Sequence, residues 1–209
     1  MVPAAEALGR LREGNRRFVE GIASGAPLLS QSRPVALSKE QSPFAIILGC
    51  SDARVPAEIV FDQGLGDLFV IRVAGNIVAP SQVASIEFAA SRFGTRLVVV
   101  LGHSECGAIL ATIEELQRPI AQQSRNLSAI VDRIRPSVEE LLRTDMAKNL
   151  AVLTHHAVRS NVGVSVDHLR HGSEILEQSI ARDGLIVVGA EYSLETGVVD
   201  FFDAPPHLR

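Results

Sequence analysis

The chain of 209 residues contains two cysteines, one tyrosine and no tryptophan. Two cysteines are too few for a disulfide scaffold, which excludes the small stapled folds of secreted proteins. With aromatics at only 4% of residues, aliphatic side chains have to fill the core. Long apolar runs are missing as well: the stretches around Leu97–Leu101 and Leu185–Val188 are far too short to span a bilayer. Positive charge is not in excess, with 20 Lys+Arg against 24 Asp+Glu and a net charge of −4. That balance offers no basic stripe for nucleic acid, and no run of like charge forms a tail. Near the N-terminus, Glu6, Arg10, Arg12 and Glu13 interrupt any apolar stretch of the kind a secretory signal needs. The expectation is a cytoplasmic protein whose thiols stay reduced. What is present, 46% hydrophobic and 21% charged residues, is the composition of one ordinary domain covering 1–209.

Residues 4–23 place Ala5, Leu8, Leu11, Phe18 and Ile22 near helical spacing, with Gly9 and Gly14 as interruptions. Residues 24–43 hold Gly, Ser and three prolines and read as an extended arm, so that 1–40 form a helical arm and linker. A helix on such an arm has little of its own domain to pack against, and it is expected to pack on a partner subunit. From Phe44 the pattern changes. FAIIL (44–48), LFVIR (68–72), LVVVL (97–101) and LIVVG (185–189) are continuous apolar runs, as in strands buried on both faces of a parallel sheet. Helices fit between them, from near Pro80 to Phe93, from Cys106 to Leu116, and over 126–143 and 146–170. Ser173 caps another that stops at Asp183-Gly184. The chain then turns at Glu195-Thr196-Gly197, and VVDFF (198–202) returns as an antiparallel edge strand. The fold class is α/β, with a mostly parallel central sheet flanked by helices.

An isolated cysteine is usually a small buried hydrophobe, but the neighbours of these two say otherwise. Cys50, Asp52 and Arg54 lie just past the end of the first apolar run, in AIILGCSDAR; His103 and Cys106 lie just past another, in LVVVLGHSECGA. Ligands of open α/β sheets gather beyond the carboxyl ends of strands. If the two strands are neighbours, two thiols, one imidazole and one carboxylate converge, a set that suits zinc. Thiol chemistry of other kinds fits poorly. Three residues separate Cys50 from Arg54, whereas a phosphatase-type loop has five, and no C-x-x-C pair is present. Arg54 sits where it competes with a metal for the Asp52 carboxylate. With Asp52 on the ion the site is closed; with Asp52 on Arg54 a position opens for water, whose pKa zinc lowers from ~15.7 toward ~7.

CSDARV followed by GHSECGA, with FVIRVAGN and SIEFAA between them, resembles the β-class carbonic anhydrases, most strongly over 41–110. The resemblance implies one zinc per chain held by Cys50, His103 and Cys106, with Asp52 as the exchangeable fourth ligand and Asp52 and Arg54 as the catalytic dyad. It implies reversible hydration of CO2 to bicarbonate and a proton, by attack of a zinc-held hydroxide. It also implies a substrate pocket: Gln41 and Gly107 for the bicarbonate oxygens, Phe69 and Phe88 as a dry slot for CO2. Some relatives carry Tyr where Phe88 stands. A homodimer or a dimer of dimers is implied, with partner residues near each active site. In one subgroup a second bicarbonate pocket is built from a Trp, an Arg and a Tyr. Arg72 and Tyr192 match two of these positions, but Ile47 stands at the third, so locking by bicarbonate through that pocket is not expected. His155, His156, His168, His171 and His207 are placed on helix faces or in the tail and receive no role. Hydrolysis of CS2 or COS on the same ligands, and a zinc site without turnover, are the two alternatives left open.

Overall fold

The fold, obtained as a computed structural model, describes residues 1–22, 41–118 and 124–208. Its elements in chain order are α1 (Ala4–Val19), β1 (Ala45–Gly49), α2 (Ala57–Val60) and β2 (Leu68–Arg72), followed by a 3-10 turn at Ala74–Asn76. Next come α3 (Pro80–Phe93), β3 (Leu97–His103), α4 (Gly107–Gln117), α5 (Ser128–Leu142) and α6 (Leu150–His171). Then follow α7 (Glu174–Arg182), β4 (Ile186–Tyr192) and β5 (Val199–Asp203).

The apolar runs form one five-stranded sheet in the order β2-β1-β3-β4-β5. The first three pairings are parallel, and β5 runs antiparallel to β4 at the edge. Every residue of β1 and β3 is buried, which is why both read as unbroken apolar runs rather than as alternating ones. On one face, Ile47, Leu97, Val99 and Leu101 pack with α1, Phe61 and Phe201. On the other, Ile46, Leu48, Val98 and Val100 pack against Ile86 of α3, Val162 and Val166 of α6 and Leu176 of α7. A third apolar cluster sits past the strand ends, where α4, α5 and α6 bring Ile109, Ile134, Val138 and Leu153 around the two cysteines.

The N-terminal helix departs from expectation. It is seated on its own chain, with Ala4, Ala7, Leu8 and Leu11 in the same cluster as Val199 and Phe201. Its buried face is Ala4, Ala7, Leu8, Leu11, Gly14 and Asn15, whereas Ala5 and Ile22 are exposed. Asn15 fixes the seat: its Nδ2 donates to the carbonyls of Val60 (3.1 Å) and Gly197 (2.9 Å), and its Oδ1 accepts from the Val199 N–H (2.9 Å). Gly14 is no defect. A methyl group there would lie 1.8 Å from the Phe61 carbonyl oxygen, so only glycine lets α1 come this close. Of the arm read over 24–43, only 41–43 fall within the described residues, and they are irregular.

Candidate metal centre

β1 and β3 are hydrogen-bonded neighbours, with Gly49 opposite Leu101, so the segments that follow them emerge side by side. Cys50 follows β1 directly, His103 ends β3, and Cys106 is the residue before the first turn of α4. Between the latter two, Glu105 adopts a left-handed conformation (φ 54°), which turns the chain sharply enough for the His-x-x-Cys spacing to present both ligands. The two sulfurs and a His103 ring nitrogen lie within 4.8 Å of one another. A tetrahedral zinc site with Zn–S near 2.3 Å places two sulfurs about 3.8 Å apart, so the donors need only a small inward movement.

His103 Nδ1 donates to the Ser104 carbonyl oxygen at 2.9 Å, which fixes the ring and leaves Nε2 as the nitrogen turned to the cysteines. That Nε2 is fully buried and has no hydrogen-bond partner in the protein. An unpartnered buried ring nitrogen beside two thiols is what a metal ion would satisfy. The two neighbouring thiols shift each other in opposite directions. Cys50 is drawn down to about 4, chiefly by its hydrogen bond with Cys106, with help from His103 and the N–H groups of Gly75 and Asp52 against the opposing effect of burial. The same bond, together with burial, pushes Cys106 strongly up. A dication in this position would hold both sulfurs as thiolates. The donor set fits zinc.

Asp52 and Arg54 form the fourth side. The Arg54 N–H reaches Asp52 Oδ1 at 3.0 Å, and its guanidinium adds Nε to Oδ1 (2.9 Å) and Nη2 to Oδ2 (2.7 Å). The two-residue spacing makes this possible, because an Asp side chain readily accepts from the backbone two residues on. Arg54 holds the carboxyl far below the usual carboxylate range. Asp52 Oδ2 lies 3.9 Å from His103 Nε2, so the carboxylate borders the space between the donors.

Three partners of the site were not assigned from the sequence. Arg72, matched there to an anion pocket, instead donates to the carbonyls of Cys50 (3.0 Å) and Asp52 (2.6 Å) and ties down the loop between them. The Gly75 N–H donates to Cys50 Sγ at 3.3 Å. Asn161, deep in α6, donates to the Gly75 carbonyl at 2.7 Å.

The expected substrate pocket is split. Gly107 opens α4 directly beside Cys106, exposed, with nothing within 4 Å of where a side chain would start. Phe69 and Phe88 do meet, at 6.2 Å between ring centres, together with Phe93. Phe69, however, pairs with Ile46, four residues before Cys50, which puts it about 13 Å back along the strands. Gln41 lies exposed ahead of β1, farther still from the cysteines. Phe69, with Phe88 against it, lies toward the opposite end of the strands from the cysteines, and Gln41 precedes β1.

A family model described as carbonic anhydrase matches residues 45–199. Carbonic anhydrase 2 of Mycobacterium tuberculosis (strain CDC 1551 / Oshkosh) is 38% identical over 190 residues, covering 90% of this chain and 87% of its own. The carbonic anhydrase of Mycolicibacterium smegmatis is 36% identical, covering 91% and 89%. Among solved structures, the β-carbonic anhydrase CcaA superposes with a TM-score of 0.73 at 26% identity, covering 94% of this chain and 98% of that one. A tetrameric β-carbonic anhydrase from Sordaria macrospora shares the fold, with a TM-score of 0.72 at 23% identity, covering 92% and 94%. Strand order, the cysteines at two adjacent strand ends and the extent of these matches lead to one assignment: the chain belongs to the β-class carbonic anhydrases.

Proposed function

We propose that this protein catalyses the reversible hydration of CO2 to bicarbonate and a proton, using one zinc per chain held by Cys50, His103 and Cys106. The observation that carries the reading is the buried His103 Nε2, which has no hydrogen-bond partner and lies within 4.8 Å of both cysteine sulfurs. When bound, zinc supplies the nucleophile by lowering the pKa of a coordinated water from ~15.7 to about 7. Both Asp52 oxygens are engaged by Arg54, so the carboxylate would be held off a bound ion, beside the donors, where it could accept a hydrogen from a coordinated water. Arg54 acts through Asp52 by fixing its orientation. The exposed N–H of Gly107, at the N-terminus of α4, is placed to receive a product oxygen.

Gln41, Phe69 and Phe88 complete the CO2 slot from a second copy, since Phe69 and its neighbour Phe88 lie toward the far end of the strands and Gln41 precedes β1. Phe88 packs on Phe69 and Phe93 yet is 53% exposed, consistent with further burial against a partner. A homodimer is therefore the minimal unit, and a dimer of dimers is the natural larger assembly; the Sordaria relative is described as tetrameric. We place the protein in the cytoplasm, where its thiols stay reduced for the metal. Among the described residues no helix is long and apolar enough to cross a membrane.

Replacing Arg54 by Ala tests the reading. Zinc content is expected to stay at one per chain while turnover falls roughly 100-fold or more, the range expected for loss of a positioned acid–base group. Unchanged turnover would remove Asp52 and Arg54 from the mechanism. A zinc-loaded wild type inert toward CO2 but active on CS2 or COS would change the substrate, and one inert toward all three would make the site non-catalytic.

A further inference from the structure

Helix α6 packs against the end of β3 and against the Ala74–Asn76 turn that faces Cys50. Val162 and Val158 fill the space where a side chain on Gly102 would begin, at 2.6 and 3.3 Å, one residue before His103. On the same helix, Asn161 Nδ2 donates to the Gly75 carbonyl at 2.7 Å, and Ser165 Oγ donates to the Asn76 carbonyl at 3.0 Å. Both side chains are buried, and one helical turn separates them. The turn they grip is unusual. Gly75 and Asn76 are consecutive left-handed residues, at φ 71° and φ 42°, and such a conformation in a non-glycine persists only where surrounding contacts enforce it. With the Gly75 carbonyl anchored and its φ fixed, its N–H has one direction, and that direction is toward Cys50 Sγ at 3.3 Å.

We propose that Asn161, assisted by Ser165, is a positioning residue for the metal centre. By holding the Ala74–Asn76 turn, it keeps the Gly75 N–H on the Cys50 sulfur and so sets how much charge that sulfur donates to the ion. The inference rests on the zinc reading above. A hydrogen bond to a metal-bound thiolate withdraws charge from the sulfur and fixes its orientation, and loss of such outer partners typically costs 10–100-fold in metal affinity or activity. Asn161 touches none of the metal donors, so its influence runs entirely through the backbone of the turn.

Cobalt(II) in place of zinc gives a direct readout, since the thiolate-to-cobalt charge-transfer band reports the donor strength of sulfur. In Asn161→Leu the Gly75 carbonyl loses its donor and the turn relaxes. The band is expected to move to lower energy, and metal affinity, measured by competition with a chromophoric chelator, to fall 10–100-fold. Asn15→Leu is the matched control, because it too removes a buried amide that bridges backbone groups, but at the seat of α1. It is expected to lower the melting temperature while leaving band and affinity unchanged. An unshifted band in a folded Asn161→Leu protein, or equal shifts in both variants, overturns the proposal. Should Asn161→Leu not fold, Ser165→Ala decides: a smaller shift in the same direction supports the proposal, and no shift refutes it. A wild type that takes up no cobalt would remove the metal reading itself and this inference with it.

Discussion

Two glycines in one helix make opposite predictions. Gly9 and Gly14 both lie inside α1, where alanine is favoured over glycine by ~0.8–1.0 kcal/mol through backbone entropy alone. At Gly9, exposed and with nothing within 4 Å of an added methyl, that gain is the whole effect. Gly9→Ala should raise the melting temperature by about 2–4 °C for a protein of this size. At Gly14 the methyl would sit 1.8 Å from the Phe61 carbonyl oxygen. A carbon–oxygen contact needs about 3.3 Å, so the two backbones must part by roughly 1.5 Å. That separation breaks the three Asn15 hydrogen bonds, worth ~1 kcal/mol each, and loosens Leu8 and Leu11 in their cluster. Against the propensity gain, the net is a loss of ~2–4 kcal/mol and a melting temperature lower by on the order of 10 °C. Thermal unfolding followed by circular dichroism reads both variants. If Gly14→Ala rises alongside Gly9→Ala, α1 is not seated as described.

Two further outcomes follow from the site. Gly75→Ala places a methyl 2.7 Å from Ile134 Cδ1 at φ 71°, so the protein should lose ~2–4 kcal/mol in urea unfolding; a loss below ~0.5 kcal/mol would contradict the packing of this turn. Added bicarbonate should inhibit only as product. Ile47 is fully buried in β1, and Arg72 is committed to the carbonyls of Cys50 and Asp52, so a sigmoidal loss of activity with bicarbonate would show an anion pocket that these contacts leave no room for.

Where the sequence was legible, the reason is physical. β1 and β3 are buried on both faces, which leaves no alternation and gives short apolar runs whose limits are easy to see. β4 runs on to Tyr192, past the end of its apolar run at 189, because pairing with β3 continues through Ala190, Glu191 and Tyr192 where side-chain type no longer signals a strand. The metal donors were legible because their chemistry lies in side chains of rare types at strand ends. The seat of α1 was not, since Asn15 meets Gly197 and Val199 across more than 180 residues of chain. Nor was the Cys50 hydrogen bond, because a backbone N–H has no residue identity, and Asn161 reads in sequence as one more polar residue in a helix. That Phe69 sits toward the opposite end of the strands from the cysteines needed the parallel register of β1 and β2, which no single strand reveals.

The central claim is that Cys50, His103 and Cys106 hold a zinc that turns over CO2. Stopped-flow CO2 hydration on zinc-quantified protein, scanned from about pH 6.5 to about pH 9 around the pKa of zinc-held water, tests it most directly. The account predicts fast turnover that scales with zinc content, reaches its full value at one zinc per chain, and disappears on chelation. Protein carrying one zinc per chain with no turnover anywhere in that range would contradict it.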